Sequence, residues 1–337
     1  MTPKCEYHDN FDSASALSRH LLSRQVQPCL FDRLDWYEGL HGAGYADKKP
    51  LLISARHDLA EGLLALVRAR NGHYLSLANW YSFTWSPVFA NANGEISRLA
   101  LLRSLAKAAA VRAWRLTLSP VAEEDDSLRL LRTAFEQEGW VVEQAMCDEN
   151  HILPVRGRTF DDYWQSRPGQ LRNTVRRKGS KGVVSIRIET RFTEQAWADY
   201  QNIYARSWKP EEGNPEFLRA LAEQESHAGA LRLGLAYIDG QPVAAQFWTV
   251  ENGRALIHKL AHDERHIKAS PGTLLTTALF QHVIDVDRVE IVDFGTGSDP
   301  YKRDWMEEMR PRYRLDMFRP AHPMSWPYLI RNATRRL

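Results

Sequence analysis

The segment Ala230–Ala261 constrains the fold most strongly. It reads as three short apolar strands, Ala230–Ile238, Pro242–Val250 and Arg254–Ala261, and the breaks between them are Asp239-Gly240 and Asn252-Gly253. Both dipeptides favour the positive φ that tight hairpin turns require. The spacing therefore predicts an antiparallel meander. Downstream, Ser270-Pro271-Gly272 opens a helix running to about Asp285. Glu290–Phe294 then reads as a strand, Asp299–Met309 as a short helix, and Tyr313–Phe318 as a last strand. A meander followed by a helical crossover to a neighbouring strand is an α/β arrangement, an α+β mixed sheet.

Upstream of the meander, Val183–Glu189 alternates with period two. Thr193 caps a helix reaching Trp208, and Asn214-Pro215 opens another. The first half shows a looser version of the same grammar. Asn71-Gly72 separates Gly62–Arg70 from His73–Ala78 as a hairpin signal. Glu95–Ala110 has helical apolar spacing, Val111–Leu118 alternates as a strand, and Ser127 is placed to cap a helix ending at Gly139. Val141–Met146 and Ile152–Val155 read as further strands. A chain of 337 residues exceeds what one core usually fills, which predicts two domains. The boundary is placed near Pro154–Arg158. This gives domains over 1–155 and 156–320 and a basic tail over 321–337.

Lys and Arg total 44 against 42 Asp and Glu, a formal net charge of +2. That balance does not suit a wholesale nucleic-acid coat. Cys5, Cys29 and Cys147 form no CxxC pair, and an odd number cannot all pair within the chain. They are read as free thiols in a reducing compartment. The opening residues hold no apolar run. The uncharged stretch 71–94 is too polar for a membrane span. A soluble cytoplasmic protein is the expectation.

Four stretches could carry chemistry. His258–Leu275 (HKLAHDERHIKASPGTLL) delivers a strand through a loop to a helix start, with Arg265, His266 and Lys268 beside it. A helix start at Ser270-Pro271, with Gly272 and Thr273 in its first turn, would leave free N–H groups there, suited to phosphate or pyrophosphate, or would simply be well capped. Val292–Trp305 (VDFGTGSDPYKRDW) sets Tyr301 and Lys302 on a helix start just past a strand end. Ligand sites favour that edge of a sheet, although surface packing explains it as well. The run from Arg167 to Arg187 has no acid between Asp162 and Glu189, and Arg172 and Arg176 share a helix face. It would bind phosphate, carboxylate or RNA, or be a solvated surface. Asn79–Phe89 (NWYSFTWSPVF) is dense in aromatics and reads as core before groove. His258, His262 and His266 recur every fourth residue, but on a strand that spacing is about 13 Å, too far for one metal ion. Nucleotide P-loop, dinucleotide and nucleophile-elbow motifs are absent from the sequence.

The second half resembles the GNAT-like acyltransferase domain of the cellulose-biosynthesis-associated (CelD-type) proteins, which are relatives of the Fem-type peptidoglycan aminoacyltransferases. The carrying residues are SWK at Ser207–Lys209, the stretch from Asp263 through SPGTLL at Ser270–Leu275, DFGTGSDPYKRDW at Asp293–Trp305, and the LRNTVRRK helix. They span about Thr159–Arg319. The resemblance implies tandem GNAT-like domains in the Fem-type arrangement. It implies two adjacent parallel strands, about Arg254–Ala261 and Glu290–Phe294, that splay to admit the arm of an acyl-CoA co-substrate. The helix at Ser270 would hold the pyrophosphate, with Lys268, Gly272, Thr273, Arg172 and Arg176 contributing. An amine acceptor in an inter-domain cleft would attack the thioester directly. Tyr301 would be the proton donor, and Lys302 would polarise the carbonyl or bind ligand charge. Asp263 or Asp293 would orient or deprotonate the amine, with His258 as another base. No metal and no permanently bound cofactor is implied. Lys268–Thr273 reads KASPGT where the family has Q/R-x-x-G-x-G/A. An acyl-carrier protein or an aminoacyl-tRNA therefore stands beside acyl-CoA as donor, and a non-catalytic binding protein stands beside the enzyme.

Overall fold

The computed structural model describes residues 4–14 and 16–335. It divides into two compact units, one holding the chain up to Glu149 and again from Arg310, the other holding Asn150–Met309. The sequence reading divided the chain at 155/156 and kept 310–320 with the second domain. Residues 336 and 337 of the expected tail lie outside the described residues.

In chain order the first part carries β1 (Lys4–His8), α1 (Ala16–Leu21), α2 (Leu34–Gly44), β2 (Pro50–His57), β3 (Ala60–Arg70), β4 (His73–Ser76), β5 (Val88–Ala90), α3 (Glu95–Arg112), β6 (Arg115–Ala122), α4 (Ser127–Gln137) and β7 (Val141–Pro154). Then follow α5 (Phe160–Gln165), α6 (Gly169–Gly179), β8 (Ser185–Glu189), α7 (Glu194–Ala205), α8 (Pro215–His227), β9 (Leu231–Ile238), β10 (Gln241–Glu251), β11 (Arg254–His262), α9 (Pro271–Gln281), β12 (Ile291–Thr296) and α10 (Lys302–Trp305). The chain closes with β13 (Glu308–Phe318) and α11 (Trp326–Arg335).

The same grammar occurs twice. In the first unit β2, β3 and β4 form an antiparallel meander, α3 crosses over, and β6 returns parallel to β4. In the second unit β9, β10 and β11 form the meander, α9 crosses over, and β12 returns parallel to β11. The Asx-Gly turns sit where the sequence puts them, with Asp239 and Asn252 themselves at positive φ. The fold is a mixed α/β sheet of tandem GNAT-like units.

In the second unit, α9 buries Leu275, Leu279 and Phe280 against the sheet. Each such side chain contributes about 1.5–3 kcal/mol of burial. Contact is close because β9 carries Gly234, where an added Cβ would stand 2.7 Å from the Leu279 side chain. Phe280 stacks with Tyr163 and meets Trp248 edge-on. The opposite face of β10 carries Phe247, which meets Trp197 of α7 edge-on. Helices α7 and α9 thus cover opposite faces of the sheet.

Several local expectations shift. The Ala-rich run carries α3 through Arg112, so the strand begins at Arg115 rather than Val111; alanine is the strongest helix former. Asp126, at φ 66°, takes the cap position of α4, and Ser127 instead donates its N–H to Asp125 Oδ1. The two strands expected after Gly139 form one, β7. The helix expected over Asp299–Met309 is only α10. Glu307 N–H bonds the Ile152 carbonyl, and the chain is extended from Glu308, with Pro311 inside the strand. The aromatic stretch is largely core: Tyr81, Phe83 and Trp85 are buried, while Trp80 is exposed. The three cysteines form no disulfide among the described residues. Among the described residues no helix is long and apolar enough to cross a membrane.

Candidate active site

Strand β11 pairs with β12 over three positions only, Arg254↔Ile291, Ala255↔Val292 and Leu256↔Asp293. The reason lies one strand away. On β10, Phe247 pairs with Lys259 and Trp248 with Ile257, so His258 is an extra residue in β11. Such a bulge bends its strand and increases the local twist. β11 therefore leaves β12 just beyond Leu256. Its β12-facing main-chain groups are left without a β12 partner.

The gap opens into a cavity of about 380 Å³. Leu260, Ala261 and His262 of β11 form one wall and Phe294 of β12 another. Ser270, Pro271, Gly272 and Thr273 of the α9 start form its head, while Tyr301, Asp304 and Trp305 close the far side. Ser270 stands at the N-cap of α9 but in the left-handed region, φ 55°, and its side chain makes no cap bond. The first turn holds no acid. An uncapped helix start that lines a cavity offers free N–H groups and the positive dipole end to an anion. Gly272 lies in tight packing, since a Cβ there would approach His262 Nδ1 to 3.3 Å.

Helix α6 flanks this mouth. Its Leu171 lines the cavity, and Lys178 Nζ donates to the Lys268 carbonyl just before α9. Arg172 donates to the Arg167 carbonyl and Arg176 to Asn173 Oδ1. Among the described residues none of Arg172, Arg176, Arg177, Lys178 and Lys181 is paired with a carboxylate, whereas Arg156, Arg158, Arg167 and Arg219 all are. These cations lie outside the cavity lining, as does the exposed Lys268.

The sequence-derived candidates separate into two groups. Ser270, Gly272, Thr273 and Tyr301 line the cavity together. Tyr301 packs its ring edge to Phe294 at 5.7 Å, and burial, with Asp299 adding, pushes its phenol pKa up. The others serve the scaffold. Lys302 is 4% exposed, and its ammonium donates to the carbonyls of Thr296 and Gly297, pinning the loop after β12. It is therefore turned from the carbonyl-polarising place given to it. Asp263 is 1% exposed and gives both carboxylate oxygens to the Arg265 guanidinium, with Arg265 N–H on Oδ1 as well. These bonds hold its pKa down at about 2, so it is a cap and a poor base. Asp293 accepts from Gly295 N–H at 2.8 Å and from Asn150 Nδ2 at 3.2 Å, fixing β12. His258 exchanges a 2.8 Å hydrogen bond with Thr249 Oγ1 against Phe247. Burial first, then Lys259, lower its pKa to about 3, and it does not line the cavity.

The sequence gives no site role to Gln246, marks Trp208 only within the SWK stretch and His262 only in a histidine spacing too long for a metal, yet all three line the cavity. The rings of Trp208 and His262 lie 4.4 Å apart. Gln246 Nε2 bonds Thr276 Oγ1, and its Oε1 accepts from the Trp248 indole. Alternation along β10 and β11 places Gln246, Leu260 and His262 on one face, a usable signal once the bulge is known.

The first unit has the same parallel pair, His73↔Arg115 to Leu75↔Thr117, but its gap is filled by its own chain. Ser76 Oγ donates to the Ser119 carbonyl, Trp85 N–H bonds the Pro120 carbonyl, and the Trp85 indole bonds the Ala65 carbonyl. Strand β5 occupies the edge of β3 beyond β4. The remaining cavity of about 370 Å³ is lined by Asp32 and Asp125. Burial raises the Asp32 pKa to about 7, and Asp125 raises it further against the Ser86 hydrogen bond. Arg98 lines the same cavity, so its lining carries both signs of charge.

A mixed sheet parted at a bulge, with a helix start facing the gap, is a GNAT-like fold. Residues 165–303 match the family model for the acetyltransferase (GNAT) domain. Among solved structures, the chain is similar to FemX at 10% identity, with 92% of this chain and 96% of that chain covered and a TM-score of 0.63. It is similar to L-PGS from Bacillus licheniformis at 13% identity, covering 95% and 96%, with a TM-score of 0.57. It is also similar to a tandem GNAT protein from the clavulanic acid biosynthesis pathway at 12% identity, covering 95% and 100%, with a TM-score of 0.51. At these identities the likeness is one of fold. None of the curated proteins matches the sequence.

Proposed function

We propose that the protein is an N-acyltransferase of CelD-like type that moves an acyl group from an acyl-CoA thioester to an amine. The carrying observation is that the parted β11 and β12 edges and the uncapped start of α9 face one cavity. The diphosphate would rest on the N–H groups of Gly272 and Thr273, with Lys178 and Lys268 near the mouth. The pantetheine arm would run along Leu260–His262 as an added strand. The acceptor amine attacks the thioester carbonyl. The oxyanion is stabilised by main-chain donors in the gap, and the tetrahedral intermediate expels the thiolate. Tyr301 lines the cavity with a raised pKa, so it enters the reaction protonated and gives its proton to that thiolate.

A second reading rests on the unpaired cations of α6, which would suit a donor carried on tRNA or on an acidic carrier protein. Calorimetric titration separates them. Acetyl-CoA should bind the intact protein, and Gly272→Val should weaken that binding at least tenfold by filling the helix mouth. Binding of tRNA but not acetyl-CoA, lost on replacing Arg172, Arg176 and Arg177 with alanine and steep in salt, would overturn the CoA assignment.

A further inference from the structure

The 150–309 unit holds a second cavity, of about 470 Å³, enclosed by α7, α8 and the segment between them. Its walls include Trp197, Tyr200, Tyr204, Lys209, Glu211 and Glu212. It lies on the Phe247 face of the sheet, because Trp197 packs on Phe247 and Lys259 pairs with Phe247 in register. The donor cavity lies on the Trp248 face, under α9. The two meet at one place. Trp208 lines the donor cavity against His262, and the next residue, Lys209, lines the second. Lys259 of β11, one residue past the bulge, reaches Glu212 at 2.7 Å. β11 beyond Leu256, the stretch that β12 has left, thus sends Lys259 toward Glu212 of the second cavity and contributes Leu260–His262 to the donor cavity.

The chemistry of the second cavity is mixed in a specific way. Three aromatic rings supply flat apolar walls. The Trp197 indole N–H is buried with no partner, on a side chain 1% exposed. The Tyr204 hydroxyl is bonded to Glu212, which Lys259 already balances. Among the described residues Glu211 and Lys209 have no ion-pair partner inside hydrogen-bond reach, although Asp299 and Glu212 lie near enough to favour the Lys209 charge, and Lys209 stands 5.6 Å over the Trp208 ring. Burial, then the neighbouring Lys259, lowers the Lys209 pKa, and a ligand anion would reverse that.

We infer that this cavity binds the acceptor, and that the acceptor is a zwitterionic amine on an aromatic or branched apolar body, an amino acid or a close analogue. This rests on the transferase reading above. The carboxylate of the ligand pairs with Lys209, its body lies against Tyr204 and Leu218 above the stacked Trp197 and Tyr200 rings, and its ammonium faces Glu211. Glu211 takes one proton from the ammonium. The neutral nitrogen attacks the acyl carbon through the window beside β11, forming the C–N bond as the C–S bond breaks. Tyr301 protonates the departing thiolate and recovers its proton from the nitrogen, so the products are an amide and a free thiol.

The test titrates the full chain calorimetrically with L-tyrosine, with tyramine, which lacks the carboxylate, and with 3-(4-hydroxyphenyl)propionate, which lacks the amine. L-Tyrosine should bind best. Lys209→Met should weaken L-tyrosine and the propionate at least tenfold and leave tyramine within twofold. Glu211→Gln should weaken L-tyrosine and tyramine and spare the propionate. Absent L-tyrosine binding, or losses that ignore which head group is present, overturns the inference. Acetyl-CoA is titrated in parallel. If it binds and L-tyrosine does not, only the acceptor assignment falls; if it does not bind, the CoA-dependent reading falls with it.

Discussion

A phenol beside a thioester is useful only if it keeps its proton until the sulfur needs it. Tyr301 meets that condition: the residue is 37% exposed, but desolvation of the hydroxyl and the charge of Asp299 both disfavour the phenolate. Tyr301→Phe should therefore lower the rate of acyl transfer by about 100-fold or more. The affinity for acetyl-CoA should stay within about twofold, because the ring is retained; an unchanged turnover number would remove Tyr301 from the mechanism. His258 makes a prediction about stability instead. Its folded pKa, about 3, lies below the ordinary imidazole value of 6.5. The unfolded chain therefore binds the extra proton between those values, and stability is present in full above pH 6.5 and declines as pH falls toward 3. His258→Gln removes that contribution. Melting temperatures from pH 7 to pH 5 should fall less in the variant than in the native protein. Parallel curves for the two would show that the imidazole is not held neutral.

At the scale of elements, the site depends on one bulge and one close helix contact. The bulge at His258 parts β11 from β12, and Gly234 lets α9 sit on β9 with its mouth over the gap. Gly234→Val would push against Leu279 in a fully packed layer. It should cost about 1–3 kcal/mol in urea unfolding, the usual range for overpacking a core. Because the added bulk displaces α9, affinity for acetyl-CoA should fall with stability. A stable variant with unaltered donor affinity would detach the helix position from the anion site. The start of α9 also shows how a sequence motif and its folded geometry can differ. Ser-Pro-Gly reads as a capped helix start, but left-handed Ser270 withholds its hydroxyl. The N–H groups that a cap would occupy are left facing the cavity.

Across the whole molecule, the same meander, crossover helix and parallel return strand are used twice with opposite outcomes. The second unit keeps its gap open under a helix start free of acids. The first closes its gap with Trp85 and lines what remains with Asp32 and Asp125. Acetyl-CoA should therefore slow amide hydrogen exchange at Gly272–Leu275 and along Leu260–His262. It should leave the exchange at the start of α3, around Glu95–Arg98, unchanged. Equal protection at both helix starts would contradict the assignment of donor binding to the second unit.

Much of this organisation is legible in the residues alone. Asx-Gly pairs specify hairpins through local backbone preference, and apolar periodicity separates α9 from β11 and β12. The mixed sheet and the placing of Ser270, Gly272, Thr273 and Tyr301 near a strand end follow from such local rules. The roles of charged residues do not, because a charge is defined by what lies beside it in space. Lys302 and Asp263 look like chemistry in a string of letters. Folded, one is consumed by the carbonyls of Thr296 and Gly297 and the other by Arg265. The bulge at His258 is likewise a relation between two strands, invisible in either alone. Local sequence thus determined the elements and their order. Only tertiary packing decided which gap stayed open and which polar groups were left to meet a ligand, since both depend on contacts between residues far apart in the chain.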